Sequence, residues 1–430
     1  MAQGEAGEVA IARLAAPATL IGAAFLFIAW DASPVGAPRF MAALGVAVIG
    51  YIWMLRATGR GGVSRRTLRL AVVAAIVWRV PLIFLPEVAA RDAVRYVWDA
   101  RVQRAGLSPY ESRPDDPQLD GIHTPLTRGV DASSLPTIYP PVGQLYFRAV
   151  TAVHESLLAF RVAALVCDVG VMVVLMRVLR ASGRPESWML AYAWHPLVPI
   201  EAALGAHLEP AGVLALTLAY LSAIRGRPWG TAMAFTAAVL IKPLPVVLAP
   251  LIWPHVGVRH VAAAIGGVTA LTVWIARGQW PVGSMTAFID YFRFNAPLFV
   301  ALEQVLSPRG LAVVAVIAGL AVAFWIRRRR DRADAWPWGW GWPLAVALAL
   351  SPVIYPWYLL WVLPFAVLQR SLTLLAWTLS VMTIYPAWFL WSGSGAMTVP
   401  TPLWIVEFAV PFVTAVAVWP SVQGSRIVRE

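Results

Sequence analysis

Arg91-Asp92-Ala93-Val94-Arg95-Tyr96-Val97-Trp98-Asp99 is the stretch with the most chemistry in it. Asp92, Arg95, Tyr96 and Asp99 recur at i, i+3, i+4 and i+7, so a helix here presents all four on one face. A carboxylate backed by arginines and aromatics suits a general base that takes a proton from a hydroxyl. The alternative is an amphipathic interfacial helix whose charges simply face water. Lys242, the sole lysine of the chain, lies inside an apolar run and is followed by Pro243 and Pro245. A cation at such a place is costly and by default functional, and phosphate is its natural partner; the plainer reading is a lysine snorkelling to the interface. Arg91 and Arg95 compete with it as phosphate clamps.

A second constellation, Gly205-Ala206-His207-Leu208-Glu209-Pro210, stands at the end of another apolar run. There His207 is placed to orient a substrate, and Glu209 either assists a base or caps the next helix. One His with one Glu falls short of the three or more ligands a metal site usually needs, so no metal and no cofactor are expected. Tyr355, Trp357 and Tyr358 are candidates for stacking on a sugar or lining a lipid groove, against the default of an interfacial aromatic belt. Arg79, Arg161 and Asp168 read as structural partners within the membrane, with Arg161 and Asp168 seven residues apart on one helix face. His195 reads as a satisfied core histidine.

The elements that must hold these residues are membrane helices. Of 430 residues, 60% are hydrophobic and 13% charged, too little charge to cover a soluble surface. Apolar runs of roughly 18 to 25 residues recur along the chain, each near the ~30 Å of a hydrocarbon core. Many of the 22 tryptophans sit at the ends of these runs. The net charge of +12 comes from arginines in short connections, the pattern of cytoplasmic loops rather than of a nucleic-acid surface. The single cysteine, Cys167, excludes an intrachain disulfide. The N-terminal segment with Glu5 and Glu8 lacks the basic start of a secretory signal, and the first run is expected to be a retained helix.

Arginine placement puts residues 56–69, 177–187 and 327–335 in the cytoplasm and 87–157 and 277–308 outside. Parity then requires the run 229–253 to leave and return, breaking at Lys242-Pro243-Leu244-Pro245, with a similar break in 340–368 at Ser351-Pro352 and Tyr355-Pro356. Irregular backbone at that depth is tolerated only in protein or beside a wet cavity, so both breaks point to one outward cavity. The expected fold is an all-α polytopic bundle of about 12–14 membrane segments, one domain over 1–430, whose outer loop 87–157 carries interfacial helices.

Arg91-Asp92 with Tyr96, then Gly106-Leu107-Ser108-Pro109-Tyr110, resembles the opening of bacterial polyprenyl-phosphate-mannose-dependent mannosyltransferases of the GT-C class. Ile138-Tyr139-Pro140-Pro141 with Gln144, Lys242-Pro243-Leu244-Pro245 and Tyr355-Pro356-Trp357-Tyr358 are similar to later segments of that group, so the likeness spans roughly 70 to 370. The resemblance implies that Asp92 is the catalytic base; Lys242, Arg91 and Arg95 stay the candidates for holding the donor phosphate, and His207, Glu209, Asp99 and Tyr139 candidates for contacting substrate. It implies an inverting transfer of mannose from a polyprenyl-phosphate donor to a lipid-linked or cell-envelope glycan, at the outer face of the cytoplasmic membrane. Arabinose, glucose or another lipid-linked sugar fits the same features. No Walker loop or dinucleotide fingerprint is present to suggest a nucleotide-sugar donor. A transporter, the rival from another class, also breaks helices around buried charge, but no inverted repeat is visible and the charged loop is large for a carrier.

Overall fold

The computed structural model describes residues 2–59, 63–86, 91–329, 338–394 and 399–427. Among them helices carry the architecture, and the extended pairing is an isolated parallel bridge between Phe294 and Val353. Seven helices are long and apolar enough to cross a membrane, from Ala12–Asp31 to Leu372–Trp391, and shorter apolar helices fill in between them. In lipid each backbone N–H and C=O must be paired within its own segment, which is why apolar runs of this length become helices. The protein is a multi-pass membrane protein.

Local signals set the ends. Ser64, Ser156, Ser307 and Ser371 each accept a hydrogen bond from the backbone N–H three residues on, capping helices Arg65–Arg79, Leu157–Ala181, Pro308–Arg328 and Leu372–Ser380. Pro228 and Pro308 start their helices where a missing N–H costs nothing. Arg327 and Arg328 end the Pro308–Arg328 helix with positive charge at the negative end of its dipole. The basic segment that continues over 330–335 lies outside the described residues.

Both predicted breaks are present. Helix Pro228–Ile241 stops where Lys242 turns extended (φ −147°, ψ 141°), and a 3-10 turn, Leu244–Leu248, follows. At 1.5 Å per residue the 14-residue helix rises only about 21 Å, so it turns before traversing a full hydrocarbon core. The chain then returns to the end it left. Trp229 meets His260, ring centroids 4.5 Å apart, and Arg327 reaches the Pro250 carbonyl at 3.4 Å. Helix Gly341–Ala349 likewise breaks, and after the 3-10 turn Pro356–Trp361 the helix Leu363–Gln369 comes back, so that Trp340 touches Phe365 (5.5 Å). The second break also packs closely on the helix that precedes the first. A Cβ on Gly212 would lie 2.1 Å from the Trp361 ring, so only glycine lets helix Glu209–Ile224 approach it.

The run near 188–204 is not one helix. Trp194-His195-Pro196 interrupts it, and a π-helical turn, Pro199–Leu204, carries the chain to Gly205. His195 is buried with both ring nitrogens occupied, Nδ1 accepting from the Leu197 N–H (3.2 Å) and Nε2 against the Thr378 hydroxyl (3.0 Å). The expected pairing of Arg161 with Asp168 is replaced by another. Asp168 accepts from Arg79 Nε at 2.6 Å, both side chains fully buried, while Arg161 donates to the carbonyls of Leu204 (3.0 Å), Ile83 (3.2 Å) and Pro86 (2.9 Å). The reason is reach: the 3-10 turn Pro81–Phe84 ends just before Pro86, which has no N–H, and the fork of donors on Arg161 meets the carbonyls left at that end.

Long connections meet at one end of the bundle. Ser284 N–H donates to Thr137 O (3.1 Å), Phe294 N–H to Pro352 O (3.2 Å) and Ile354 N–H to Phe294 O (2.9 Å). The segments 91–157, 277–308 and the second helix break thus form one assembly. Arg180 with Glu186, and Arg370 over Trp188, mark the opposite end.

Candidate active site

Helix Arg91–Arg104 presents the expected face, but it faces protein rather than water. Arg95 donates to the carbonyls of Leu135 (3.0 Å), Asp131 (2.9 Å) and Ala132 (2.9 Å), pinning the loop that leads to Tyr139. Tyr96 is fully buried, stacked on Phe147 at 4.2 Å. Asp99 is buried behind them and accepts from the Thr137 hydroxyl (2.5 Å) and Gln144 Nε2 (2.9 Å). The reading as an interfacial helix with solvated charges therefore gives way to a packed one.

Asp92 alone of the helix's two carboxylates reaches the large cavity, a space of about 850 Å³ between the loop assembly and the two helix breaks. Tyr139, from the other side of the loop, donates its hydroxyl to Asp92 Oδ2 at 3.4 Å. Burial pushes the Tyr139 phenol well above its ordinary pKa, which keeps the proton on the oxygen that faces the carboxylate. Lys242 comes into the same cavity from the first break. Its ammonium is hydrogen-bonded to Glu209 and lies 4.2 Å from the Tyr358 ring centroid and 6.0 Å from that of Tyr139. Tyr139 thus stands between Lys242 and Asp92.

His207 closes the far wall. The turn before it needs Ala206 in the left-handed region (φ +55°), and a Cβ on Gly205 would strike the imidazole at 2.5 Å. The ring stacks on Trp357 at 3.9 Å, and its Nδ1 meets both the Glu201 carbonyl (3.2 Å) and Glu201 Oε2 (2.9 Å). Tyr355 stacks on Trp357 in turn, at 4.4 Å.

The structure therefore gathers Asp92, Tyr139, Arg91, Arg95, Lys242, His207, Tyr355, Trp357 and Tyr358 around one cavity. Glu209 lies behind Lys242, fully buried. Asp99 is not among the lining residues. The predicted phosphate clamps are already engaged: Lys242 by Glu209, Arg91 by Asp131 at 2.7 Å, and Arg95 by carbonyls, which leave its charge uncompensated. Among the described residues no three His, Cys, Asp or Glu side chains are grouped to hold a metal. Sequence reasoning missed Glu201, Tyr385 and Asp131, all of which line the cavity. Glu201 carried a usable signal, a carboxylate inside an apolar run.

Toward the first break the cavity turns apolar, with Leu244, Val246 and Val247 facing Ala312, Ala315 and Val316 of the long membrane helix Pro308–Arg328. One cavity thus joins charged groups to an apolar trough. The chain belongs to the alpha-(1->6)-mannopyranosyltransferase family, whose N-terminal-domain model matches residues 5–257, more than half of its length. It is a membrane glycosyltransferase of a mannosyltransferase family. No curated protein and no solved structure matches it.

Asp99 yields an expected result of its own. Burial raises its carboxyl from 3.8 to about 6, so the native state keeps this proton at pH values where the unfolded chain has released it. Stability contributed by this group is then full below 3.8 and lost as pH rises toward about 6. Asp99→Asn still accepts from Thr137 and Gln144, so it is expected to fold, remain active and flatten the fall in Tm between these pH values. A Tm–pH profile identical to wild type would contradict this.

Proposed function

We propose that the protein transfers mannose from a polyprenyl-phosphate donor to a lipid-linked or cell-envelope glycan, in a cavity that opens to the extracytoplasmic side. Asp92 takes the proton of the acceptor hydroxyl, which attacks the anomeric carbon and displaces the polyprenyl phosphate. One displacement inverts that carbon. The observation that carries the reading is the juxtaposition in one cavity of Asp92, the cations Arg95 and Lys242, and the apolar trough. A carboxylate beside an acceptor, cations beside a leaving phosphate and a groove for a lipid chain are what this reaction needs. The test is transfer by purified protein in detergent, comparing polyprenyl-phosphate-mannose with a nucleotide-linked mannose. Transfer from the nucleotide donor alone would overturn the proposal. Activity without a sealed compartment also separates an enzyme from a carrier.

Lys242→Met is expected to weaken use of the donor more than use of the acceptor. A charge-assisted contact to phosphate contributes about 1.5–3 kcal/mol. Because the Lys242 ammonium is paired with buried Glu209, the single variant strands a carboxylate. The informative protein is Lys242→Met with Glu209→Gln, in which the donor KM should rise while the fold is kept. Unchanged donor kinetics there would reduce Lys242 to a structural partner of Glu209.

Orientation is open to direct measurement. In a background lacking Cys167, cysteines at 112 and 280 are expected to react with an impermeant reagent from outside, and cysteines at 182 and 328 only after permeabilisation. Labelling of 328 in intact cells would reverse the topology.

A further inference from the structure

Lys242 is paired with Glu209, Arg91 with Asp131, and Arg95 donates to three loop carbonyls, and the His207 ring is a further basic group on the cavity wall. Both partners of its Nδ1, the Glu201 carbonyl and the Glu201 carboxylate, are acceptors. Nδ1 must therefore carry a hydrogen, and Nε2 is the ring nitrogen left for a ligand. Glu201 is itself fixed from the other side, since its second oxygen accepts from the Tyr385 hydroxyl. Tyr385, Glu201 and His207 form a chain of buried side chains that ends on the cavity wall, and Trp357 stacks on the imidazole to prevent its rotation. Among the described residues, the basic group paired with Glu201 is the His207 ring. Burial opposes a charge on the ring, but the Glu201 contact, with Asp92 of the loop helix and Glu209 of helix Glu209–Ile224 adding to it, outweighs burial and raises the pKa of His207 above its ordinary value.

We infer that Glu201 and Tyr385 are positioning residues that hold His207 as an imidazolium whose Nε2–H binds the phosphate oxygen of the lipid-linked donor. This rests on the polyprenyl-phosphate donor proposed above. A phosphate at Nε2 and a carboxylate at Nδ1 together require both ring nitrogens to be donors, and the buried carboxylate secures that state in advance. The arrangement supplies a mobile-free, pre-oriented donor to the oxygen on which charge develops as the phosphate leaves. It also explains a carboxylate placed within an apolar run, where an unpaired charge is expensive.

The test uses the full-length protein in detergent, with undecaprenyl monophosphate as the probe, read as competitive inhibition of mannosyl transfer. Glu201→Gln is nearly isosteric and is expected to raise both the probe's inhibition constant and the donor KM by about 10–100-fold, leaving the acceptor KM unchanged. Tyr385→Phe moves both in the same direction by less. In a His207→Gln background, Glu201→Gln adds nothing further, because its effect runs through the ring. Wild-type inhibition by the probe in both Glu201→Gln and Tyr385→Phe, or additive losses in the double variant, would overturn the inference while leaving the donor assignment intact. Should the probe fail to compete in the wild-type protein, the donor assignment falls, and this inference falls with it.

Discussion

Asp92→Asn is expected to lower mannosyl transfer by about 10²–10⁴, the usual cost of losing a general base. The substitution keeps size and shape and removes the proton-accepting carboxylate. It also keeps a hydrogen-bond acceptor for the Tyr139 hydroxyl, the contact that ties helix Arg91–Arg104 to the far side of its loop. Folding and membrane insertion should therefore be preserved, and donor binding, read through inhibition by polyprenyl phosphate, should be close to normal. The loss belongs in kcat. Asp99→Asn is the internal control, since its carboxylate is not among the cavity lining and is held by Thr137 and Gln144. Near wild-type transfer by purified Asp92→Asn protein would remove Asp92 from the role of base. Glu209 would then be the next carboxylate to test, because its ion pair with Lys242 places it just behind the cavity wall.

The largest effect on stability is expected from the Arg79–Asp168 pair. Both side chains are fully buried, in helices Arg65–Arg79 and Leu157–Ala181, with Nε and Oδ2 2.6 Å apart. Removing one partner leaves the other charge uncompensated in a low-dielectric interior, which typically costs about 3–5 kcal/mol. Arg79→Met and Asp168→Leu should each reduce the Tm of detergent-solubilised protein and its yield in membranes. The double variant should recover most of the loss, because two apolar side chains of similar volume carry no desolvation cost. The diagnostic outcome is this recovery. If the double variant were as unstable as the sum of the singles, the pair would not be the unit that matters, and the bond from Arg79 Nη1 to the Ala75 carbonyl would be the more important contact.

The same pair shows where one-dimensional reading ends. Hydropathy marked Arg79, Arg161 and Asp168 as charges inside membrane segments, and spacing joined the two on one helix. Helical spacing says which residues share a face, not what that face meets. The partner chosen for Asp168 lies 89 residues away, and Arg161 turns instead to carbonyls at the end of the Pro81–Phe84 turn and to that of Leu204. Glu201 is a similar case. Its companions are His207, six residues on across a turn that needs a left-handed Ala206, and Tyr385, 184 residues on.

By itself the sequence determined that the chain is a multi-pass helical membrane protein. Length and apolarity of a run are local properties, and lipid allows such a run no other backbone-satisfying form. It also determined that two runs break, at Lys242-Pro243 and at the segment between Ala349 and Pro356, since proline removes the N–H that continuation requires. The motif order around Asp92 and the resemblance it carried anticipated the family to which the chain belongs. Only the tertiary structure decided that Asp92 and not Asp99 faces the cavity. The two carboxylates share a helix face, and the loop that folds back through Thr137 and Gln144 buries one and leaves the other open. Only the tertiary structure decided, too, that Lys242 meets Glu209. That contact joins the start of helix Glu209–Ile224 to the end of helix Pro228–Ile241, and it depends on how those two helices pack side by side.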